Sequence, residues 1–320
     1  MKYLITGGAG FIGSYLAESL IKDGHNVTII DNLSTGSLKN LNNILNSPLL
    51  DFVEGDILEL PELGYLISKS DMVFHLAAAV GVELVVKDPV LTIRTNVHGT
   101  EKILMAATRK NTPVLITSTS EVYGKSTKQI FSENDDLLIG QPKNSRWSYA
   151  SSKLLDEFFA MAFFRASKLP VIIVRLFNTV GPRQTGQYGM VVPRFVSKAL
   201  KGEDIEIYGT GTQTRCFCHV YDTVRALKAL PAHKSAYGEV FNIGSTKEIS
   251  INDLAKLVKK QTKSKSKLVK IPYDKAYETG FEDMMRRVPD ISKINSYIGW
   301  KPELSLEKII DDVIESIKND

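Results

Sequence analysis

The chain has 320 residues, of which 43% are hydrophobic and 24% are charged, and its 40 basic and 36 acidic side chains give a net charge of +4. Its length predicts two lobes rather than one core. The mild charge and the absence of a long apolar run or signal peptide predict no nucleic-acid partner, no membrane partner and a cytoplasmic location. The only cysteines, Cys216 and Cys218, are spaced as neighbours on one face of a strand, which predicts buried thiols and no metal site.

The first predicted element is an apolar strand at residues 3–6 that leads directly into a glycine-rich turn. Gly7, Gly10 and Gly13 follow a G-x-x-G-x-x-G spacing, and an amphipathic helix is predicted at 14–22. Glycine allows a tight turn and the close approach of a pyrophosphate, which the amides at a helix N-terminus favour. Asp31, about 20 residues further on, is placed to bind a ribose, and its charge would repel a 2′-phosphate. The pattern predicts NAD binding, with an ordinary α/β glycine turn as the alternative.

Apolar strands and amphipathic helices alternate through the rest of the first half. Further strands are predicted at 27–30, 50–54, 72–76, 114–117 and 171–175, with helices at 90–109 and 149–167. Near-continuous apolar strands are typical of a parallel sheet that helices cover on both faces. The predicted fold is therefore an α/β doubly wound parallel sheet.

The pattern changes in the second half of the chain. A loop at 178–189 precedes a helix at 193–201, and closing helices are predicted at 251–262 and 305–318. Between them lie predicted strands at 205–208, 215–220 and 239–243. We expect residues 1–177 to form the dinucleotide-binding domain, with 213–243 returning to it. Residues 178–320 would form a smaller lobe over the carboxyl edge of the sheet, where such folds bind ligands.

Two groups of residues are candidates for chemistry. Tyr149 and Lys153 stand four residues apart on a predicted helix, so they share one face. An ammonium near a phenol lowers the phenol's pKa from about 10, as a base for an alcohol requires. Thr119, Ser120 and Glu121 follow the fifth strand and place two hydroxyls and a carboxylate at the edge of the sheet. The simpler interpretation of this segment is a turn capped by hydroxyl groups.

These motifs together resemble the extended short-chain dehydrogenase/reductase superfamily, in particular its NAD-dependent nucleotide-sugar epimerases and dehydratases. The resemblance covers essentially the whole chain and implies a Rossmann-type fold with NAD as the cofactor and a C-terminal nucleotide-sugar-binding lobe. It implies that Tyr149 takes the proton of a sugar hydroxyl, that Thr119 shares this hydrogen bond and that Lys153 holds the nicotinamide ribose. The implied cofactor-binding residues are Gly7, Gly10, Phe11, Ile12, Gly13, Asp31, Asn32, Asp56, Ile57, Leu76, Ala77, Ala78, Asn96, Tyr149 and Lys153.

Segments 176–183 and 208–215 resemble the loops with which nucleotide-sugar members hold the diphosphate. The resemblance implies a UDP-sugar as substrate, bound by Asn178, Val192 and Arg215. A guanidinium suits this role because its planar fork binds phosphate oxygens in a bidentate manner. The alternatives are a turn residue for Asn178 and a salt bridge at a strand end for Arg215.

Residues 119–124, Thr-Ser-Glu-Val-Tyr-Gly, resemble the corresponding motif of UDP-glucuronate decarboxylases. Hexose 4,6-dehydratases carry Asp-Glu in place of Ser120-Glu121, and simple 4-epimerases carry a small or hydroxyl residue in place of Glu121. Residues 146–149 and 280–291 also resemble decarboxylase motifs, and the second implies that Arg287 binds substrate and then protonates C5 or stabilises charge after CO2 leaves.

The resemblance therefore favours decarboxylation of UDP-glucuronate to a UDP-xylose-type product. Oxidation at C4 would make a β-keto acid, loss of CO2 would follow, and reduction at C4 would complete the reaction. A UDP-sugar 4-epimerase, a nucleotide-sugar dehydratase and a non-catalytic NAD-binding protein are the alternatives.

The predicted helices at 90–109 and 149–167 carry apolar residues on more than one side. A helix with this pattern needs a second surface to bury it. The resemblance implies a homodimer formed through a helix bundle. Packing of these helices against the chain's own second lobe is the alternative.

Overall fold

The computed structural model describes residues 1–80, 88–186, 190–273 and 284–319. Within them a central sheet of seven parallel strands has the order β11-β6-β5-β4-β1-β2-β3. Its strands are β1 Lys2–Thr6, β2 Asn26–Asp31, β3 Leu50–Glu54, β4 Met72–His75, β5 Val114–Thr119, β6 Val171–Leu176 and β11 Glu239–Ile243. The strand order changes direction between β1 and β4, which opens a crevice at the carboxyl ends of the strands.

Helices cover both faces of this sheet. The α-helices in the described residues are α1 Phe11–Lys22, α2 Leu63–Ser68, α3 Pro89–Thr108, α4 Trp147–Ser167, α5 Val191–Lys201, α6 Val220–Ala229, α7 Ile251–Gln261, α8 Ser292–Ile298 and α9 Leu306–Asn319. Helices α1 and α6 pack together on one face, and α3 and α4 pack together on the other.

The strands explain why the sequence shows continuous apolar runs. Ile5 belongs to the core beneath α1 and α6, whereas its neighbour Leu4 belongs to the core beneath α3 and α4. Both side chains are fully buried, because alternate residues of a strand face opposite sides of a sheet that is covered twice. The predicted doubly wound α/β fold is confirmed.

The second half of the chain adds a separate apolar core. Phe195 of α5, Leu254 of α7 and Ile310 of α9 belong to it and are almost completely buried. Short strands surround it in three two-stranded sheets, β7 with β10, β9 with β12 and β8 with β13. These strands are β7 Thr179–Val180, β8 Ile205–Tyr208, β9 Thr214–Cys216, β10 Cys218–His219, β12 Glu248–Ser250 and β13 Leu268–Ile271.

The continuous strand predicted at 215–220 is wrong. The chain forms β9 and β10 with Phe217 between them, because β9 pairs antiparallel with β12 while β10 pairs parallel with β7. Cys216 and Cys218 therefore belong to two different sheets. Both are buried free thiols, as predicted, and burial raises the pKa of each to about 12.

The chain returns to the central sheet late in the sequence. Strand β11 pairs with β6 in parallel register, from Glu239 opposite Ile172 to Ile243 opposite Leu176.

The predicted division of the chain into domains at residue 177 stays a prediction. None of the helices in the described ranges is both long enough and apolar enough to cross a membrane.

The glycine turn between β1 and α1 depends on very close backbone contact. Gly7 has a φ of +73°, and its amide donates to the carbonyl oxygen of Ile30 at 2.8 Å. A Cβ at Gly13 would overlap the carbonyl oxygen of Gly7 and would lie 2.7 Å from the Cα of Gly8. Glycine at position 13 is therefore needed to bring the first turn of α1 onto the strand end.

We expect Gly13→Ala to lower the free energy of unfolding by about 1–3 kcal/mol, because rigid backbone atoms occupy the space that the methyl group requires. Urea unfolding followed by circular dichroism measures this change. Gly64→Ala is the matched control, since a Cβ there meets only the Nη1 of Arg109 at 3.7 Å. The control should be neutral or should stabilise α2 by about 0.5–1 kcal/mol. Equal unfolding midpoints for the two variants would contradict the steric argument.

Candidate active site

A large groove lies along the carboxyl ends of the central strands and continues to the apolar core of the second half of the chain. Its volume is about 1830 Å³, which exceeds the roughly 300–1,000 Å³ of most sites for one small molecule and leaves room for two ligands. The predicted residues that line it are Gly7, Gly10, Phe11, Ile12, Gly13, Asp31, Asn32, Asp56, Ile57, Leu76, Ala77, Ala78, Thr119, Ser120, Glu121, Tyr149, Lys153, Asn178, Val192, Arg215 and Arg287. Residues 187–189 and 280–283 of the sequence motifs lie outside the described residues.

The glycine turn and Asp31 form one end of the groove. The Asp31 carboxylate accepts hydrogen bonds from the amides of Ala9 and Leu33, each at 2.9 Å, and so ties the end of β2 to the turn. Burial raises the pKa of Asp31, while the bonds from these two amides act in the opposite direction. Gly10 caps α1 without a side chain, which leaves the first-turn amides open to an anion. A glycine cradle, a helix N-terminus and an acidic strand end together fit a dinucleotide.

Asn96 belongs to the predicted cofactor-binding set, and that role stays a prediction. Its side chain is fully buried and is not among the residues that line the groove. Its Oδ1 accepts from the amide of Ala79 at 2.8 Å, and its Nδ2 donates to the Ser152 hydroxyl at 3.0 Å. Asn96 therefore holds the strand-end loop against α4, one layer below the groove.

The predicted acid–base groups meet at the middle of the groove. Thr119 ends β5, Glu121 lies in the 3-10 turn Ser120–Tyr123, and Tyr149 lies in the first turn of α4. Burial raises the pKa of the Tyr149 phenol, the charge of Glu121 raises it further, and a hydrogen bond from Thr119 lowers it. The net direction is upward, so the phenol holds its proton more tightly than a free tyrosine.

The predicted lowering of the Tyr149 pKa by Lys153 is wrong for the protein by itself. The Lys153 ammonium lies 2.7 Å from the Asp156 carboxylate, and the two side chains are 3% and 0% exposed. This pairing offsets the charge of the ammonium, and Asp156 itself acts to raise the pKa of Tyr149. The four-residue spacing places Lys153 correctly along the helix, but it does not reveal the carboxylate that neutralises it.

Glu121 connects the acid–base groups to two buried arginines. Its Oε1 lies 3.3 Å from the Nη1 of Arg287 and 3.6 Å from the Nη2 of Arg146. The side chains of Glu121, Arg287 and Arg146 are 15%, 11% and 6% exposed, respectively. Two guanidinium groups beside one carboxylate and one tyrosine can recognise an anionic substrate next to a hydroxyl group that is to be oxidised.

Arg146 is missing from the site residues predicted from the sequence. It precedes α4 directly and stands three residues before Tyr149, so it lies one helical turn from the tyrosine. This spacing and the resemblance of residues 146–149 to a decarboxylase motif are the signals in the sequence that mark it. Its contact with Glu121 depends on the tertiary fold.

Three of the four predicted substrate-binding residues, namely Asn178, Val192 and Arg215, lie where β7, β9 and α5 meet the groove. Asn178 has a φ of +36°, and its Nδ2 donates to the carbonyl oxygen of Cys216 at 2.9 Å. Arg215 is 6% exposed, and its Nη1 donates to the carbonyl oxygen of Thr214 at 2.7 Å. Val192 is almost fully buried near the start of α5. Asn178 thus shapes the loop, while Arg215 supplies a fixed positive charge.

Comparison with solved structures finds nucleotide-sugar enzymes with a similar fold. The UDP-glucuronic acid 4-epimerase of Bacillus cereus, in complex with UDP-glucuronic acid and NAD, superposes with a TM-score of 0.90 at 28% identity. The match covers 100% of this chain and 99% of that chain.

Curated relatives point to the same group of enzymes. The UDP-N-acetyl-alpha-D-glucosaminuronate decarboxylase of Bacillus cytotoxicus is 44% identical over 324 aligned positions, which cover 100% of this chain and 99% of the relative. UDP-glucuronic acid decarboxylase 1 of Danio rerio is 33% identical over 315 positions, covering 98% of this chain and 72% of the relative. The family model described as GDP-mannose 4,6 dehydratase matches residues 4–313. With nearly its whole length matched, the chain belongs to this family of extended short-chain dehydrogenases/reductases.

Proposed function

We propose that this protein removes CO2 from a UDP-linked uronic acid through transient oxidation at C4. The observation that carries the proposal is the placement of Glu121 between Arg287 and Arg146, beside Tyr149. Two buried guanidinium groups at this position favour a sugar that carries a carboxylate. The names of the relatives support the same chemistry, because both the 44% and the 33% identical relatives are uronate decarboxylases.

The names of the relatives also help to order the candidate substrates. UDP-glucuronate is the substrate favoured by the sequence motifs, and the relative with 44% identity is named for the N-acetylated uronate instead. Both molecules carry the C5 carboxylate and the C4 hydroxyl that the proposed reaction requires. We therefore place UDP-N-acetylglucosaminuronate first and UDP-glucuronate second. Asn178, Val192 and Arg215 would contact the nucleotide diphosphate part of either substrate.

NAD is the proposed cofactor, and when bound it would accept the hydride from C4 and later return it. The glycine turn would hold the pyrophosphate, and Asp31 would bind the adenosine ribose while disfavouring a 2′-phosphate. Lys153 would donate hydrogen bonds to the nicotinamide ribose. The solved relative in complex with NAD supports this assignment.

Side chains of the protein would take the proton of the substrate hydroxyl and stabilise the negative charge that develops. Tyr149 would take the proton of the C4 hydroxyl, and Thr119 would donate a hydrogen bond to the oxygen that becomes negative. The resulting ketone is β to the carboxylate, so the bond from C5 to the carboxylate breaks and its electron pair forms an enolate. Arg287 would bind the carboxylate and then stabilise the negative charge until C5 takes a proton from water. Tyr149 would return its proton to the C4 oxygen when the ketone is reduced.

Mass spectrometry of both UDP-uronates after incubation with protein and NAD tests the reaction. We expect the loss of one CO2 and a decrease of about 10²–10³-fold in turnover for Arg287→Ala, because the charge after decarboxylation would lack its guanidinium. Arg286→Ala is the matched control, since the Arg286 guanidinium binds the Glu248 carboxylate through two bonds of 2.7 Å. The control should keep wild-type turnover.

Other products of the same incubation would contradict decarboxylation in distinct ways. A changed C4 configuration at constant mass would identify a 4-epimerase, and loss of water would identify a dehydratase. Neutral UDP-hexoses would be tested next if both uronates remain unchanged. Equal activity of Arg287→Ala and Arg286→Ala would reject the assigned role of Arg287.

The charge of Glu121 gives a second test, through the pH dependence of C4 oxidation. Oxidation requires the Tyr149 phenolate, so its rate rises as the pH rises through the pKa of Tyr149. Glu121 raises that pKa. Glu121→Gln should therefore move the ascending limb of the pH–rate profile to lower pH, by about 1 unit. Glu203→Gln, which removes an exposed carboxylate paired with Lys198, should leave the limb in place. An unchanged or higher limb in Glu121→Gln would contradict the coupling.

We infer that the chain forms a homodimer through α3 and α4. Phe159 and Phe163 of α4 pack into the chain's own core beneath the central sheet. Phe158 and Leu155 remain 65% and 43% exposed on the same helix, and Met105 of the adjacent α3 is 58% exposed. Large apolar side chains on two packed helices favour a second copy of the same surface.

Phe158→Glu should weaken the dimer at least about tenfold in dissociation constant, because a carboxylate would be buried at the centre of the inferred interface. Analytical ultracentrifugation across a concentration series measures the change. Leu45→Glu replaces another exposed apolar residue, 45% exposed and outside both helices, and serves as the control. A wild-type protein that sediments as a monomer at all concentrations would reject the inference.

A further inference from the structure

A hydrogen-bonded path of buried polar side chains runs beneath the active site, and most of this path does not line the groove. Its members are Ser118, Glu157, Arg175, Tyr123 and Asn242, and none is more than 5% exposed. Five polar side chains in such a position stabilise the fold only if they satisfy one another. Their hydrogen bonds show that they satisfy one another, and the path of these bonds joins the separate segments of the site.

The first part of this path fixes α4 to the ends of two central strands. The Ser118 hydroxyl donates to Oε1 of Glu157 at 2.5 Å. The Arg175 guanidinium donates to both oxygens of the same carboxylate, with Nη2 at 2.7 Å from Oε2 and Nε at 3.0 Å from Oε1. Ser118 stands directly before Thr119, and Glu157 lies one turn after Lys153. The Glu157 carboxylate therefore fixes the tyrosine helix relative to β5 and β6.

The second part of the path runs through the hydroxyl of Tyr123. This hydroxyl accepts from Nη1 of Arg175 at 3.0 Å and donates to Oδ1 of Asn242 at 2.8 Å. Burial raises the pKa of Tyr123 to about 12, with Arg175 acting in the opposite direction, so the hydroxyl keeps the proton that it donates. Asn242 then donates through Nδ2 to the carbonyl oxygens of Phe131 at 2.9 Å and Asp290 at 3.2 Å.

The path ends on the segment that carries Arg287. Phe131 forms an isolated bridge to Pro289, because its amide donates to Val288 and its carbonyl oxygen accepts from Asp290, each at 2.8 Å. Tyr123 is also the last residue of the 3-10 turn Ser120–Tyr123, which carries Glu121. The Tyr123 hydroxyl thus lies between the backbone of Glu121 and the backbone that positions Arg287.

We propose that the Tyr123 hydroxyl is a positioning group, which acts through Asn242 to hold Arg287 against Glu121 during decarboxylation. The inference rests on the proposed function of Arg287. Tyr123 is fully buried, so it does not contact substrate itself. Its removal would leave Arg175 and Asn242 each without one buried partner, which allows the Arg287 segment to shift. A displacement of about 1 Å at a reacting group can cost about 10²-fold in rate.

Tyr123→Phe tests this role because it removes the hydroxyl alone. The ring would keep its stacking with Phe131, at a centroid separation of 4.7 Å. We expect kcat for decarboxylation to fall about 10–10²-fold, and the affinity for UDP, measured by calorimetry, to stay within about twofold of wild type. Tyr65→Phe, at an exposed position, should change neither value.

A double-mutant cycle separates positioning from a general loss of stability. In an Arg287→Lys background, Tyr123→Phe should lower kcat no more than about twofold further, because the group it positions is already changed. Equal fold-losses in the two backgrounds would overturn the proposal and leave Tyr123 a structural role only. If Tyr123→Phe does not fold, Asn242→Ser breaks the same path at its next member and should show the same non-additivity.

The cycle is measured only after wild-type decarboxylation has been established. A wild-type protein that does not decarboxylate either UDP-uronate rejects the proposed function, and the positioning role with it. A wild-type protein that decarboxylates but gives an additive cycle rejects the positioning role alone.

Discussion

The ion pair between Glu121 and Arg287 is the constraint on which the site depends. It joins residues 166 positions apart, at a distance of 3.3 Å, across the groove between the strand ends and the late segment of the chain. Glu121 contributes the charge that acts on Tyr149, and Arg287 contributes the group that would bind the substrate carboxylate. Neither half of the chain contains a complete site, so the chemistry requires the late segment to be fixed against the central sheet.

Burial sets the electrostatics around this pair. Tyr149 has its pKa raised first by burial and then by Glu121, while Lys153 is held by Asp156. Positive charge that approaches a phenol in this position favours the loss of its proton. The proposed cofactor carries a positive nicotinamide ring in its oxidised form, so its binding would supply that charge where the protein's own ammonium is compensated. Cofactor binding would therefore favour the phenolate form of Tyr149.

Features that depend on local sequence were predicted well. Gly7, Gly10 and Gly13 mark the turn, and the apolar runs mark the sheet, because backbone sterics and strand burial leave their pattern in neighbouring residues. The roles given to the site residues stay predictions, although all of them except Asn96 line one groove. Three features were wrong or missing: the break at Phe217, the pairing of Lys153 with Asp156 and the contact of Arg146 with Glu121. They depend on partners that are distant in sequence, or on a choice between hydrogen-bonding partners, and periodicity encodes neither.

The break between β9 and β10 has a consequence for how the second half of the chain opens. It places the two thiols of the sequence in different small sheets, Cys216 in the one with β12 and Cys218 in the one with β7. Each is at most 1% exposed, so an alkylating reagent reaches it only when its own sheet separates transiently. The rates of thiol labelling at the two positions would therefore report the local opening of each sheet, with no foreign probe introduced into the chain.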